Sequence, residues 1–445
     1  MLNSDFAQSH LIATSSEKTH QFLELIKKQN PTLSGFVKIY ARREYIYAIT
    51  YPDHQIYYYQ QLYHQHHQPG SLQASLLLDP LEKNNDGQWI GWKRAYFVAA
   101  SYNCCYVLVD RIVDGIISPD FREGYVNHEL PNGECYEIPK RSSVVASVTC
   151  DMDPSNSEFV ILNPSNTKLW LKGIDEALRQ DEFITYMACG AYTLVLVTNQ
   201  GRLIVGGSNG FGECGYDGYS TVPTAPHPFC EKHPNVKFCK VACGDHNIVA
   251  LTQCGRIFVC GYNSSDELGM KNTGNQKQIT ESVEFAKITH SDPAIDVDCH
   301  YYGVIFLTRN GSVYVSGGSN RSLSKLTLPY LHSGTLFNTV TSIGAGSHSF
   351  LISLTNSNSD LLMLKVSRDA LNISEAAQMK KEFLKGISSQ QQRIGMTGSD
   401  QPSFSYIGYI QQRAVRSIKT LQKQLAQHLT NCFEDKSFAD INFTC

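Results

Sequence analysis

The amino-acid sequence predicts an all-β fold, a seven-bladed β-propeller followed by a short α-helical tail. Two observations carry this prediction. Residues 188–215, ACGAYTLVLVTNQGRLIVGGSNGFGECG, align without a gap on residues 242–269, ACGDHNIVALTQCGRIFVCGYNSSDELG, 54 positions later. Each copy also holds two short apolar runs joined by a glycine-containing turn, the mark of a β-hairpin. Self-similarity at such a period signals a repeat architecture, in which a unit buries its faces only against its neighbours. Units of about four strands close radially into propellers of four to eight blades.

The units follow in chain order. ARREYIYAITYPDHQIYYY (41–59), AASYNCCYVLVDRIVDGII (99–117) and FVILNPSNTKLWLKG (159–173) carry the hairpin pattern faintly. The two aligned copies come next. DCHYYGVIFLTRNGSVYVSGGSN from Asp298 and GAGSHSFLISLTNSNSDLLMLKV from Gly344 complete the set. Seven anchors result: Tyr45, Asn103, Ser157, Tyr192, His246, Tyr302 and His348. In the clearest copies Gly201, Gly255 and Gly311 occupy the hairpin turn, where positive φ is needed. Gly207 with Asn209, Gly261 with Asn263, and Gly317 follow the return strand, and both residue types enter the left-handed region cheaply. A further strand near Cys189, Cys243 or Cys299 precedes each hairpin and offers it another edge to pair with. An open β-solenoid is the alternative architecture, but units of 46–58 residues are long for solenoid coils.

Composition supports a packed chain and narrows the function classes. Hydrophobic residues make up 42% of the 445 and charged residues 18%, too apolar for a disordered tail protein. The formal net charge of −3 gives no case for direct nucleic-acid binding, which rests on a positive excess. The 24 Tyr and 20 Phe suit pleated, half-buried surfaces. The opening residues have neither a basic stretch nor an apolar core of the secretory type, and no apolar run is long enough for a bilayer. These features lead to an expected location in the cytoplasm or nucleus.

The signature A-C-G-x-x-H, an apolar strand, Thr, a glycine turn, a second strand, G-x-N and L-G resembles the regulator of chromosome condensation repeat. Ala242, Cys243, Gly244, His246, Thr252, Gly255, Gly261, Asn263, Leu268 and Gly269 carry it in one copy. Ala188, Cys189, Gly190, Thr198, Gly201, Gly207, Asn209, Gly212 and Gly215 carry it in the copy before. The resemblance spans residues 35–366 and implies a seven-bladed propeller.

Past residue 366 the β pattern stops. The segment 367–430 reads as a helical linker: 370–395 is rich in helix formers, and Ile407, Ile410, Ala414, Ile418, Leu421, Leu425 and Leu429 form one helical stripe. MTGSDQPSFS (396–405) reads as a connection between the two. FEDKSFADINFTC resembles the opening of a BTB/POZ domain through Asp440, Ile441 and Phe443. The sequence is therefore divided into an N-terminal segment (1–34), the propeller (35–366), the helical linker (367–430) and the start of a truncated BTB/POZ-like domain (431–445).

Residues with chemical potential read as structural. Cys239 and Cys243 have metal-like spacing, yet Cys189, Cys243 and Cys299 share one slot of successive repeats and should lie a blade apart. His246 and His348 share theirs with Tyr45, Tyr192 and Tyr302, which suits an aromatic that satisfies backbone groups better than a catalytic base. Gly207–Gly212 lacks the following helix of a dinucleotide loop. The carboxylates Asp296 and Asp298, and Asp151 and Asp153, fall on different blades and specify no acid/base pair. The expectation is a non-enzymatic chain with no catalytic, cofactor or metal residues.

The function expected is that of a protein-interaction scaffold, since propellers present variable loops on a rigid ring. The longest inter-repeat excursion, Tyr216–Phe238, is proline-rich, and prolines stiffen a loop and lower the entropy cost of binding. The BTB resemblance implies a likeness to substrate adaptors of cullin-type ubiquitin ligases, with a ubiquitin-ligase client on the propeller. The repeat resemblance implies the alternative, guanine-nucleotide exchange on a Ran-like small GTPase.

Overall fold

The computed structural model describes residues 17–60, 75–110, 125–148, 173–215, 224–229, 235–367 and 403–410, less interior stretches of one to five residues. Helix α1 (Glu17–Gln29) opens the described chain. Its Phe22, Leu23 and Ile26 are buried, at the spacing that places them on one helix face. They pack on Ile39, Ile46, Ala48 and Tyr57 of the first sheet. The segment assigned only as N-terminal thus docks as a helix.

Six antiparallel sheets follow, built in sequence order. The first holds β1 (Gly35–Arg42), β2 (Tyr45–Tyr51), β3 (Ile56–Gln60) and β4 (Ser75–Leu76). After the small hairpin β5 (Glu82–Lys83) and β6 (Trp89–Ile90), the second sheet runs β7 (Ala95–Ala100), β8 (Cys104–Asp110) and β11 (Ser142–Val148). The hairpin β9 (Tyr125–Glu129) and β10 (Cys135–Pro139) is inserted between its last two strands. The third sheet is β12 (Ile184–Cys189), β13 (Thr193–Thr198), β14 (Leu203–Gly207) and β15 (Thr224–Phe229). The fourth is β16 (Phe238–Cys243), β17 (Asn247–Thr252), β18 (Ile257–Gly261) and β19 (Gln276–Glu281), followed by helix α2 (Val283–Thr289). The fifth is β20 (Ala294–His300), β21 (Gly303–Thr308), β22 (Val313–Gly317) and β23 (Ser324–Lys325). A hairpin, β24 (Tyr330–His332) and β25 (Thr335–Phe337), leads to the sixth: β26 (Thr339–Ala345), β27 (Phe350–Thr355), β28 (Leu361–Ser367) and β29 (Ser403–Ile410).

The first strand of each sheet is the inner one. β1 packs on β7, β7 on β12, β12 on β16, β16 on β20 and β20 on β26, the succession of a β-propeller. Second strands fill the sheet interiors: TLVLVT, NIVALT and GVIFLT are buried at every position. Such continuous runs are expected where both faces of a strand are covered. The sheets are also stitched edge to edge. Phe238 N–H donates to Gly201 O at 2.9 Å and Ala294 N–H to Gly255 O at 3.0 Å, so each turn glycine grips the start of the next inner strand.

The structure revises the sequence reading in three places, and one of the seven units falls almost entirely outside the described residues. Six sheets are described where seven units were read. The hairpin expected at 159–173 lies, but for Gly173, outside the described residues, and β7 packs directly on β12 with no described strand between them. The helical stripe expected from Ile407 begins instead as strand β29, paired with β28 from Ser367↔Ser403 to Leu361↔Ile410. SFSYIGYI is rich in aromatic and β-branched residues, and an open sheet edge outweighed its helical spacing; residues 411–445 lie outside the described residues. Part of the proline-rich excursion is strand β15, with Pro228 opposite Ile204. It is the outermost strand of its sheet, the place where a missing N–H costs no ladder bond. Finally, Asn209 and Asn263 do not adopt positive φ; that conformation falls to Gly207, Gly261 and Gly317.

Candidate binding site in the central channel

The inner strands share a feature that aims side chains at the axis of the ring. Each of the six has a register shift one turn of the pleat after its start: between Phe36 and Lys38, Ala95 and Phe97, Ile184 and Tyr186, Phe238 and Lys240, Ala294 and Asp296, and Val340 and Ser342. A β-bulge kinks its strand and re-aims the following side chain. The residues after the shifts are Lys38, Phe97, Tyr186, Lys240, Asp296 and Ser342, five of which touch in succession. Lys38 Nζ lies 4.4 Å from the Phe97 ring centre. The Phe97 and Tyr186 rings meet edge to face at 4.8 Å. Lys38 Nζ and Lys240 Nζ each lie 5.7 Å from the Tyr186 ring. Lys240 Nζ forms an ion pair with Asp296 Oδ1 at 2.5 Å.

Asp298, two residues beyond Asp296 on β20, lies on the same strand face. Its Oδ2 accepts from Ala345 N–H on the next inner strand at 2.8 Å. The turn of the β9–β10 hairpin also reaches this cluster. Asn132 Nδ2 donates to Asp296 Oδ2 at 3.1 Å, and Asn132 Oδ1 accepts from Glu134 N–H at 3.0 Å. Gly133, φ +83°, makes that turn possible.

Electrostatics bind these groups into one unit. Burial pushes the Lys38 pKa down, opposed first by Glu134 and then, across the ring, by Asp298 and Asp296. Burial also works against the Lys240 ammonium, but Asp296, Tyr186 and Glu134 hold its pKa well above the ordinary value. Burial raises the Tyr186 phenol and the Asp298 carboxyl. Two ammonium groups thus share the Tyr186 ring, and one of them is paired with Asp296, so the cluster is a buried and largely charge-compensated unit joining the inner strands.

The sequence-derived residues lie elsewhere, in the frame. Cys189, Cys243 and Cys299 are buried on three separate inner strands, opposite Leu194, Ile248 and Val304. Burial pushes the Cys239 thiol up to about 12, away from the thiolate a metal would require. Gly190 and Gly244 close tight corners, where an added Cβ would fall 2.3 Å from Thr193 Oγ1 and 2.4 Å from Asn247 Oδ1. Asn209 and Asn263 are buried hydrogen-bonding hubs: their Oδ1 atoms accept from Cys214 N–H and Leu268 N–H, both at 2.9 Å. Gly215 and Gly269 end those corners at positive φ. The His246 ring lies tilted against Phe211, centres 4.6 Å apart, with Nδ1 3.7 Å from Glu213 Oε1. His348 lies outside the described residues.

The sequence reading missed the channel residues. It set Asp296 and Asp298 aside as scattered over different blades, whereas they lie on one strand and one face. The signal was present: two residues before Ala188, Ala242, Asp298 and Gly344 stand Tyr186, Lys240, Asp296 and Ser342, a variable polar column beside a column of mostly small residues.

No family model matches the chain. A stretch of 89 residues is 32% identical to the X-linked retinitis pigmentosa GTPase regulator of Canis lupus familiaris, covering 20% of this chain and 9% of that protein. Over 145 residues it is 26% identical to the homologue of that regulator in Caenorhabditis elegans, covering 32% of this chain and 10% of that protein. The matches thus span about a tenth of the length of these relatives. Among solved structures, Prp20p of Saccharomyces cerevisiae superposes with a TM-score of 0.46 at 14% identity, over 79% of this chain and 72% of that one. Human WBSCR16 superposes with a TM-score of 0.45 at 14% identity, over 75% and 77%.

Proposed function

We propose that this propeller binds a small GTPase and promotes release of its guanine nucleotide. The observation that carries the proposal is the 89-residue, 32%-identical match to a protein named as a GTPase regulator. The architecture is compatible with that role. Exchange breaks no covalent bond; it requires only that the protein bind the nucleotide-free GTPase more tightly than the loaded form. A ring of sheets stitched edge to edge is a rigid platform for such differential binding. The broader role, a scaffold that holds a protein partner, is contained in this reading. The ubiquitin-ligase adaptor role rests on residues 431–445, outside the described residues.

The test is release of a fluorescent guanine nucleotide from a panel of Ran-like and other small GTPases. Sub-stoichiometric amounts of this protein should accelerate release from at least one member. Stable binding to a GTPase with unchanged release would leave the scaffold role in place of exchange. Neither binding nor release across the panel would overturn the GTPase assignment.

A further inference from the structure

We propose that helix α1 is an end cap of the sheet array, a layer that stands where a preceding sheet would pack and that opens without unfolding the sheets behind it. The two faces of the first sheet have different partners. Tyr47, Ile49 and Ile56 share a buried cluster with Ala95, Val98 and Val107 of the second sheet. Ile46, Ala48 and Tyr57 alternate with them along β2 and β3 and so lie on the opposite face. Ile39 and Tyr57 pair with Ala48 from either side, which makes one apolar row across the sheet. That row is covered by Phe22, Leu23 and Ile26 of α1. Elsewhere in the succession one sheet covers the next: buried clusters join the second to the third and fourth, the fourth to the fifth, and the fifth to the sixth. α1 therefore gives the first sheet the apolar contact that neighbouring sheets supply elsewhere.

Two features set α1 apart from the sheets it stands in for. Its outward side is polar: Gln21, Glu24, Lys28 and Gln29 are exposed, and Glu24 pairs with Lys27 at 3.6 Å on that surface. A polar outer face is what the end unit of a stacked array needs, whereas an inner unit buries both sides. Its cohesion is also local. Besides α1, its cluster contains only the first sheet and Leu33 of the connection, and the cluster that joins the first sheet to the second contains no residue of α1. Asn30 ends the helix: its Nδ2 donates to Ile26 O and to Tyr57 Oη, both at 3.1 Å, and residues 30–34 lead directly into β1. A helix of 13 residues is at the length where docking, not propensity, keeps it folded. Undocking it therefore breaks one cluster and leaves the sheet-to-sheet clusters in place. This inference concerns the end of the array and does not rest on which protein the propeller binds.

Native-state hydrogen exchange of the unmodified full-length chain is the first test. The α1 amides should exchange at least about tenfold faster than those of β17 and β21, because the cap opens locally while buried second strands open only with their sheets. Equally slow exchange would make α1 part of the cooperative core and overturn the proposal. The second test is Phe22→Asp/Ile26→Asp in the full-length chain. Charge at two buried positions should release α1, so its amides lose protection while those of β17 and β21 keep their wild-type rates within about threefold. A fluorescently labelled peptide of residues 17–34 should then bind the variant about tenfold more tightly than the wild type, whose tethered helix already covers the face. The same peptide carrying Phe22→Asp should show no such preference. Loss of protection across β17 and β21 in the variant, or equal affinity of the unaltered peptide for variant and wild type, would contradict the cap.

Discussion

At the level of single residues, the channel pair Lys240–Asp296 is the most consequential contact. Both side chains are nearly inaccessible, at 12% and 4% exposure, so removing one leaves a buried charge. Lys240→Ala should destabilise the fold by about 3–5 kcal/mol, whereas Lys240→Met/Asp296→Leu should recover most of that loss. Denaturant titration of the three proteins checks this, and a double variant as unstable as the single one would refute it. The turn glycines allow a sharper comparison. Gly255 and Gly311 have similar φ, +84° and +78°, but a Cβ at 255 would come 2.5 Å from Pro293 Cβ and 2.8 Å from Ala294 O, while one at 311 meets nothing within 4 Å. Gly311→Ala should cost only the left-handed strain of about 1–2 kcal/mol, and Gly255→Ala measurably more. The glycines themselves were legible in the sequence because positive φ leaves a compositional mark. The second demand on Gly255, room for the next sheet, was not, because it depends on a contact with the start of the neighbouring inner strand.

Elements were legible wherever hydrophobic pattern and pairing agreed. The second strands β13, β17 and β21 are apolar at nearly every position and lie between two neighbours. Phe306, wholly buried beside Phe285 at 5.2 Å, anchors β21, and Phe306→Ala should cost about 3–5 kcal/mol in the same titration. Edge elements were harder to read because tertiary pairing decides them. Ser403–Ile410 carries a helical spacing yet completes the sixth sheet, and Thr224–Phe229 carries two prolines yet completes the third. The fourth sheet is fastened by Arg256, whose Nε donates to Glu281 Oε1 at 2.7 Å, with His290 Nε2 2.8 Å from the same oxygen. The Arg256 hydrogen bond, aided by His290 and opposed by burial, holds the Glu281 carboxyl below its usual pKa. A depressed carboxylate pKa contributes stability above the unfolded value of about 4.3 and loses it as pH falls through the folded one. Glu281→Gln should therefore weaken the protein near neutral pH and flatten the acid limb of its stability curve. An acid limb that matches the wild type would show that Glu281 is not its source.

On the scale of the whole molecule, periodicity carried the fold class but not the order of the ring. Units from residue 188 onward repeat so clearly that their sheets could be placed from sequence alone. Before residue 188 the repeat is faint, and the strands there are recognisable chiefly through their partners: β1 against β7, and β7 against β12. The channel was illegible for a related reason. Repeat signatures emphasise what recurs, while Lys38, Phe97, Tyr186, Lys240 and Asp296 differ from sheet to sheet and act together only once the ring assembles. The central claim is that these inner strands converge, with the second and third sheets side by side. Oxidation of a Phe97→Cys/Tyr186→Cys variant, followed by mass-spectrometric mapping of the linked peptides, tests it directly. A 97–186 disulfide is the predicted product. Absence of that link in the oxidised, folded variant would set the two inner strands apart and contradict the account.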